Sequence, residues 1–361
     1  MHHKYRVAIV GGCGMWGRHY TRAYSQHSDC EIVALVDRAK DRRQAMSAQY
    51  GIKVVYDSLD ELLAHDIPDI VSLILPVGLN PSSLIACAEA GVRVVSCEKP
   101  IAVSLAEADE MVNVCQENET LFGCGTACWE VPHLLETTAW IHEGHIGELT
   151  GAAIPGGLPM EVSGAGCVQL TMLRTFTRME VEWAEGWSLP AVGNYASPEA
   201  SSEAETDTPA YGRLGLSGGI VCDIPEPRPG IPALIAVTGN NGHAWLTSPS
   251  PVLIQGVGAE AMPVSPEFLT KEDTKDFFTR VIERLMQAFD TGDIICSGHD
   301  YRQSLEIAIA LKQSAARSHE RISLPLQNRS LKIYPHPYRH TGGDVAGWES
   351  IGYSGPPEPL E

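Results

Sequence analysis

Six residues of strand length, Tyr5-Arg-Val-Ala-Ile-Val10, run directly into the turn Gly11-Gly-Cys-Gly-Met-Trp-Gly17. The turn fits the spacing Gly12-x-Gly14-x-x-Gly17, and Arg18 to Ser25 reads as the opening of a helix. In a strand–turn–helix of this kind the first glycine permits the tight turn. The second lets the backbone approach a pyrophosphate, and the third lets helix and strand pack closely. Free N–H groups at the helix start then face the phosphates. Glycine turns are common, so the spacing alone is weak evidence. A second strand, Glu31-Ile-Val-Ala-Leu-Val-Asp37, strengthens it. It ends in an acid about 20 residues past the turn, where a ribose-binding carboxylate is expected. The sequence therefore predicts a dinucleotide site containing Gly12, Cys13, Gly14, Met15, Trp16, Gly17 and Asp37.

The following segments extend this unit into a domain. Arg38 to Tyr50 reads as a polar helix closed by Gly51, and Lys53 to Tyr56 as a short strand. Ser58 with Glu61, and later Ser104 with Glu107, are capping boxes that open helices. Ile70-Val-Ser-Leu-Ile-Leu75 is a continuous apolar run, as a strand buried on both faces requires. Pro81 to Ala90 is a helix ended by Gly91, Arg93 to Ser96 a strand, and Thr120 to Gly125 another. Such alternation implies a doubly wound parallel sheet of Rossmann type over residues 1–125. Right-handed crossovers bring every strand's carboxyl end to one edge. Arg38, Leu75, Pro76, Asn80 and Glu98-Lys99-Pro100 should therefore join the glycine turn and Asp37 around one crevice.

Lys99 is the residue there with the most direct chemistry. A lysine beside a nicotinamide can exchange a proton with a hydroxyl while the cofactor moves a hydride. That role needs titration near neutrality, which burial or neighbouring charge brings about. A surface lysine ahead of a turn proline is the competing reading.

Composition excludes several other classes. A net charge of −19 argues against nucleic acid or an anionic membrane as partner. No apolar run reaches the ~18 residues that span a bilayer, and the chain enters a strand at once without a signal-peptide pattern. We expect a cytoplasmic protein. Ten cysteines show no disulfide-scaffold spacing, and Cys124-x-x-x-Cys128 lacks a second ligand pair, so reduced, packed thiols and no metal are expected.

Gly12-x-Gly14-x-x-Gly17, Asp37, Ala90-Gly91 and above all Cys97-Glu98-Lys99-Pro100 resemble the glucose–fructose oxidoreductase, inositol dehydrogenase and MocA family. Ser297-Gly-His-Asp-Tyr-Arg-Gln-Ser-Leu-Glu-Ile-Ala, with Gln313-Ser-Ala after it, resembles that family's closing helix. The resemblance implies a nicotinamide cofactor, and oxidation or reduction of sugars, cyclitols or related polyols. It implies Lys99 as proton relay, Glu98 in support, and a cis bond before Pro100. It also implies a homodimer or homotetramer. Asp37 favours NAD because its carboxylate repels a 2′-phosphate, while Arg38 leaves NADP open.

Two departures from the family pattern stand out. Family members often carry T-P-N-x-x-H after the fourth strand. Here the stretch is Leu75-Pro76-Val77-Gly78-Leu79-Asn80, with Asn80 in the histidine's place. A second segment, roughly G-x-H-x-x-D, aligns with Gly166-Cys167-Val168-Gln169-Leu170-Thr171. Valine exchanges no protons, and Thr171 is a poor acid or base at neutral pH. His133, Glu130 and His145 are candidate replacements; Trp129, Glu130, Val168 and Thr171, with Lys99, are the expected substrate contacts. Two alternatives to the dehydrogenase follow. One is a glycosidase or lyase that recycles NAD through transient sugar oxidation and elimination. The other is a non-catalytic dinucleotide-binding protein.

The second domain is expected over 126–325 as an α/β unit with a largely antiparallel open sheet. It should begin near Thr126 with a helix from Pro132 to Glu143. Gly151–Ile154, Val181–Gly186, Arg213–Val221, Ala233–Thr238 and Ala244–Thr247 read as strands. Trp183, Trp187 and Trp245 suit either a core or a subunit contact. Asn194 to Thr208, with Glu199, Glu203, Glu205 and Asp207, reads as an exposed loop. Asp223 to Gly230 is too proline-rich for a central strand. An amphipathic helix is expected over 272–290 and a helix over 299–318 that braces the two domains. Residues 326–361 read as a loosely ordered or partner-draped tail, in which His336, Tyr338 and His340 are conceivable metal ligands.

Overall fold

In the computed structural model the described residues are 4–14, 16–125, 131–194, 199–228, 230–231, 233–247, 249–271 and 274–341. The chain divides into two compact units. One comprises Met1–Ala127, Asp276–His299 and Pro337–Glu361; the other comprises Cys128–Lys275 and Asp300–His336.

The first unit opens with β1 (Tyr5–Val10), α1 (Gly17–Gln26), β2 (Cys30–Val36), α2 (Lys40–Tyr50) and β3 (Val55–Tyr56). It continues with α3 (Leu59–His65), β4 (Ile70–Leu73), α4 (Asn80–Glu89), β5 (Val94–Cys97), α5 (Leu105–Glu117) and β6 (Leu121–Cys124). The six strands form one parallel sheet in the order β3-β2-β1-β4-β5-β6. That is the doubly wound order whose direction of growth reverses between β1 and β4, where such sheets bind ligands. Local sequence explains the helix starts. The Ser58 side chain accepts from the Glu61 N–H, and Ser104 and Glu107 form a reciprocal capping box.

The second unit begins with α6 (Leu134–His142), β7 (Leu149–Ala153), α7 (Cys167–Thr177) and β8 (Val181–Ser188). A π-turn over Val162–Gly166 precedes α7. Then come β9 (Ala210–Leu216), β10 (Val221–Ile224), β11 (Ala233–Gly239), β12 (Gly242–Thr247), β13 (Val252–Gln255) and β14 (Met262–Val264). With a late strand, these make a nine-stranded sheet that is antiparallel except where β7 meets β10. The expected single strand over Arg213–Val221 is instead the hairpin β9–β10. Gly218 and Gly219 both have positive φ, and the Leu216 N–H closes on the Ile220 carbonyl at 2.7 Å. Asp223 and Ile224, expected outside any central strand, complete β10 between β7 and β9; the prolines act only from Pro225 onward.

The chain then supplies α8 (Phe277–Thr291), α9 (Gly298–Ala316), β15 (Ile322–Ser323) and α10 (Tyr338–Thr341). Helix α8 belongs to the first unit. Its Phe278, Val281, Ile282, Leu285 and Met286 share one buried cluster with Val7, Ile9, Tyr24, Leu35 and Ile70. Asp276 caps it by accepting from Phe278 and Thr279 N–H.

Two expectations about exposed segments are corrected. Asp207 is not on the surface but 1% exposed, accepting from the Val162 N–H at 2.9 Å and from the Ser163 N–H and hydroxyl. A carboxylate with three donors is stable in an interior that would otherwise expel it. Within the expected tail, the stretch around Tyr334 is held in place. Tyr334 exchanges backbone hydrogen bonds with Glu205 and Asp207, and Ile333 is buried. Among the described residues no group of three His, Cys, Asp or Glu lies close enough to hold a metal, and no helix is long and apolar enough to cross a membrane. Among the described residues nine cysteines are buried.

Candidate functional site

The carboxyl edge of the parallel sheet gathers the expected residues of the first unit. Hydrogen bonds just past the strand ends run along it in a row: Gly11 N–H to Val36 O, Ile74 to Val10, Glu98 to Leu73, and Gly125 to Cys97, all at 2.8–3.1 Å. Each post-strand residue is thus fixed to its neighbour.

Gly11, ahead of the fingerprint, carries the turn. It has φ +77°, and a Cβ there would overlap the Ile74 carbonyl. Gly12 is a packing position, since a Cβ would lie 2.9 Å from Ile9 Cγ2 and closer still to Leu35. Gly17 permits the close approach of α1, because a Cβ would sit 2.7 Å from Gly12 Cα and overlap the Gly11 carbonyl. Thr21 then donates to both the Gly12 and Gly17 carbonyls. No acid occupies the first turn of α1, so the positive end of its dipole is left for an anion.

Asp37 is buried at the end of β2. One carboxylate oxygen accepts from the Cys13 N–H at 3.1 Å and the other from the Ala39 N–H at 2.8 Å. Arg43 donates to its carbonyl and pairs with Asp57. Beside it a cleft of about 190 Å³ is lined by Gly11, Asp37, Arg38, Leu75, Pro76 and Leu79, among others. Glycine backbone, helix start, carboxylate and cleft together have the chemistry that a dinucleotide requires.

Glu98-Lys99-Pro100 follows β5, and its Lys99–Pro100 bond is cis. Lys99 and Glu98 are partly buried. Tyr20 of α1 donates to Glu98 Oε1 at 3.0 Å and also reaches the Gly125 carbonyl. Burial pushes the Glu98 carboxyl up; Lys99, the Tyr20 hydrogen bond and Arg339 pull it back in part. Burial and the adjacent Glu98 hold the Tyr20 phenol well above its ordinary value. Asn80 is 1% exposed and turns its amide inward, donating to the Glu98 and Pro100 carbonyls. The sequence reading missed Gly11, Tyr20 and Arg339. Only Gly11 carried a local signal.

The remaining candidates lie in the second unit. His133 sits at the N-cap of α6 with φ 62°, its ring 5.9 Å from that of Phe268. His145 stacks on Trp140 at 5.0 Å and meets Gln255 and Glu143. Val168 and Thr171 are buried on α7, and the Thr171 hydroxyl donates to the Val168 carbonyl at 3.0 Å. Met15, Trp129 and Glu130, and the expected domain start at Thr126, lie outside the described residues.

Strand order and edge chemistry define a Rossmann-type dinucleotide-binding unit. Residues 5–126 match the family described as an oxidoreductase family with an NAD-binding Rossmann fold, that of glucose–fructose oxidoreductase, inositol dehydrogenase and MocA. Over residues 5–126 the chain belongs to this family. It is similar to the 2,7-anhydro-N-acetylneuraminate hydratase of Mediterraneibacter gnavus, 36% identical over 118 residues, 33% of this chain and 30% of that protein. It is also similar to the inositol 2-dehydrogenase of Rhizobium meliloti, 24% identical over 327 residues, 86% and 96% of the two chains. Among solved structures, a levoglucosan dehydrogenase in complex with NADH and levoglucosan superposes with a TM-score of 0.71 at 16% identity, over 90% of this chain and all of that one, which shows the shared fold. Curated relatives sharing 31–33% identity are matched over only 30–36% of their own length.

Proposed function

We propose that the protein is an NAD-dependent oxidoreductase acting on a hydroxyl or keto group of a sugar, cyclitol or sugar derivative, with Lys99 as proton relay. The observation that carries this is the single sheet edge holding the glycine turn, Asp37 and Glu98-Lys99-Pro100 in one hydrogen-bonded row. When bound, nicotinamide accepts or supplies the hydride. The chain's residues do the rest. The turn from Gly11 to Gly17 and the start of α1 receive the pyrophosphate, and Asp37 accepts the ribose hydroxyls and disfavours a 2′-phosphate. Arg38 beside it leaves some use of NADP. As hydride leaves the alcohol carbon, Lys99 in its amine form takes the hydroxyl proton, leaving a ketone and an ammonium that returns the proton to solvent. Glu98 stabilises that ammonium from the adjacent position. Val168 has no proton to exchange, and the Thr171 hydroxyl donates within its own helix.

We read Trp187 and Trp245, 38% and 42% exposed at outward positions of β8 and β12, as subunit contacts of a homodimer or homotetramer. A second reading, favoured by the hydratase relative, keeps the same cofactor site but returns the hydride within each turnover so that elimination is the net result. Product analysis across a panel of sugars, cyclitols, sugar acids and aryl glycosides, with reduced nicotinamide followed in parallel, separates the two. Stoichiometric reduced cofactor supports the dehydrogenase; product without it supports the recycling reading.

A further inference from the structure

All three carbonyl oxygens of Glu98-Lys99-Pro100 accept hydrogen bonds from side chains remote in sequence. Asn80 Nδ2 donates to the Glu98 carbonyl at 2.9 Å and the Pro100 carbonyl at 3.2 Å. The middle carbonyl, that of Lys99, accepts from Arg339 Nη1 at 3.3 Å. Arg339 lies on α10, which packs against the turn Val77–Leu79 just ahead of Asn80. Its guanidinium also lies 4.8 Å from the centre of the Tyr338 ring, a contact that favours one side-chain placement. The groups acting on the Glu98 carboxyl are Lys99, the Tyr20 hydroxyl of α1 and the Arg339 guanidinium, with the Cys97 thiol next to it in sequence. Among the described residues Lys99 and Arg339 are cations that act on that acid.

We propose that Arg339 is a positioning residue for Lys99, closing a three-carbonyl clamp on the tripeptide and holding the Glu98 carboxylate beside a second positive charge. The consequence for turnover rests on the dehydrogenase reading; the clamp itself rests on the hydrogen bonds alone. With its carbonyl free, the Lys99 backbone can tilt and swing the side chain off line. A displacement of about 1 Å in such a group can cost ~100-fold in rate. Losing the guanidinium also removes one of the cations that favour the ionised form of Glu98.

The test uses full-length Arg339→Ala and Arg339→Lys proteins with NAD bound. Backbone hydrogen exchange of the peptide spanning 97–101 needs no substrate. It should quicken in Arg339→Ala, while β1 and β2 exchange as in the wild type. On a turned-over substrate, kcat should fall about ten- to a hundredfold with KM for NAD nearly unchanged. The acid limb of the pH–rate profile should move to higher pH. Arg339→Lys, which keeps the charge, should restore the acid limb. Unchanged exchange at 97–101 overturns the clamp whether or not the protein turns over any sugar. Faster exchange with unaltered kcat and acid limb overturns the positioning role and leaves the dehydrogenase reading standing. Should Arg339→Ala fail to fold, Arg339→Gln, which keeps length and a donor but no charge, carries the same comparison.

Discussion

The backbone N–H of Cys13 donates to the Asp37 carboxylate at 3.1 Å, so the acid that ends the second strand is tied to the turn that ends the first. The carboxylate is therefore a strut of the glycine turn, and in the proposed cofactor site it is also the ribose acceptor. Its second oxygen holds the Ala39 N–H, which fixes the entry to α2.

Asp37→Ala should weaken NAD binding about tenfold or more, since a hydrogen bond to a charged group contributes roughly 1.5–3 kcal/mol. NADP binding should suffer less, because the repulsion of a 2′-phosphate goes with the carboxylate. Titration calorimetry with both nucleotides checks the ratio. Equal losses for the two would contradict the ribose role and leave only the strut.

Glycine substitutions should separate close packing in the turn from backbone strain alone at the end of α2. Gly17→Ala places a methyl against Gly12 and the Gly11 carbonyl, with backbone on both sides, and should cost about 3 kcal/mol or more together with cofactor binding. Gly51→Ala meets no atom within 4 Å and carries only the strain of φ +64°, about 1–2 kcal/mol, with NAD affinity intact. Urea denaturation and nucleotide titration on both variants decide this.

Tyr20→Phe should move the acid limb of the pH–rate profile upward. Tyr20 donates to Glu98, and that hydrogen bond helps hold down a carboxyl which burial raises. Without it the Glu98 proton is released at higher pH, so activity that needs the carboxylate sets in later. An acid limb that stays in place would separate Glu98 from the reaction.

Asp207 should make the protein more stable towards acid over a limited range. Burial raises its carboxyl from 3.8 to about 6, reinforced by Glu161 and countered by the hydrogen bonds from Ser163 and Val162. Between those values the folded chain holds a proton that the unfolded chain has released. This contribution is therefore complete below the lower value and is lost as pH rises through the upper one. Urea denaturation from about pH 4 to about pH 7 should show it in the wild type and not in Asp207→Asn.

What the sequence disclosed follows the range of the interactions involved. The Ser58 cap, the capping box at Ser104 and the six parallel strands depend on residues a few positions apart, and they were legible. At Ser58 only the side-chain half of the expected box forms, since Glu61 accepts from the Asp57 N–H instead. The glycine turn was legible as a motif, but the division of labour within it was not. Gly11 needs its positive φ because of Ile74, a residue of another strand. Asp207 sat among exposed-looking acids, and its donors are 44 and 45 residues away. The hairpin at Gly218-Gly219 was readable in principle, since paired glycines between apolar runs are a turn signal. Helix α8 was visible as an amphipathic period, yet its partners on β1, β2 and β4 lie more than two hundred residues earlier. Arg339 gave no signal at all. Its meaning comes only from a carbonyl 240 residues before it.

The central claim is hydride transfer at the carboxyl edge of the parallel sheet with Lys99 as relay. It is tested most directly by the near-ultraviolet absorbance of reduced nicotinamide, with NAD and separately NADP, over the sugar, cyclitol, sugar-acid and glycoside panel. Wild type and Lys99→Ala should be run side by side, with nucleotide binding measured in both. The account predicts reduction with NAD on at least one polyol, abolished in Lys99→Ala while the nucleotide still binds. Full turnover by Lys99→Ala, or tight NAD binding in the wild type with neither reduction nor product from any compound, would contradict it.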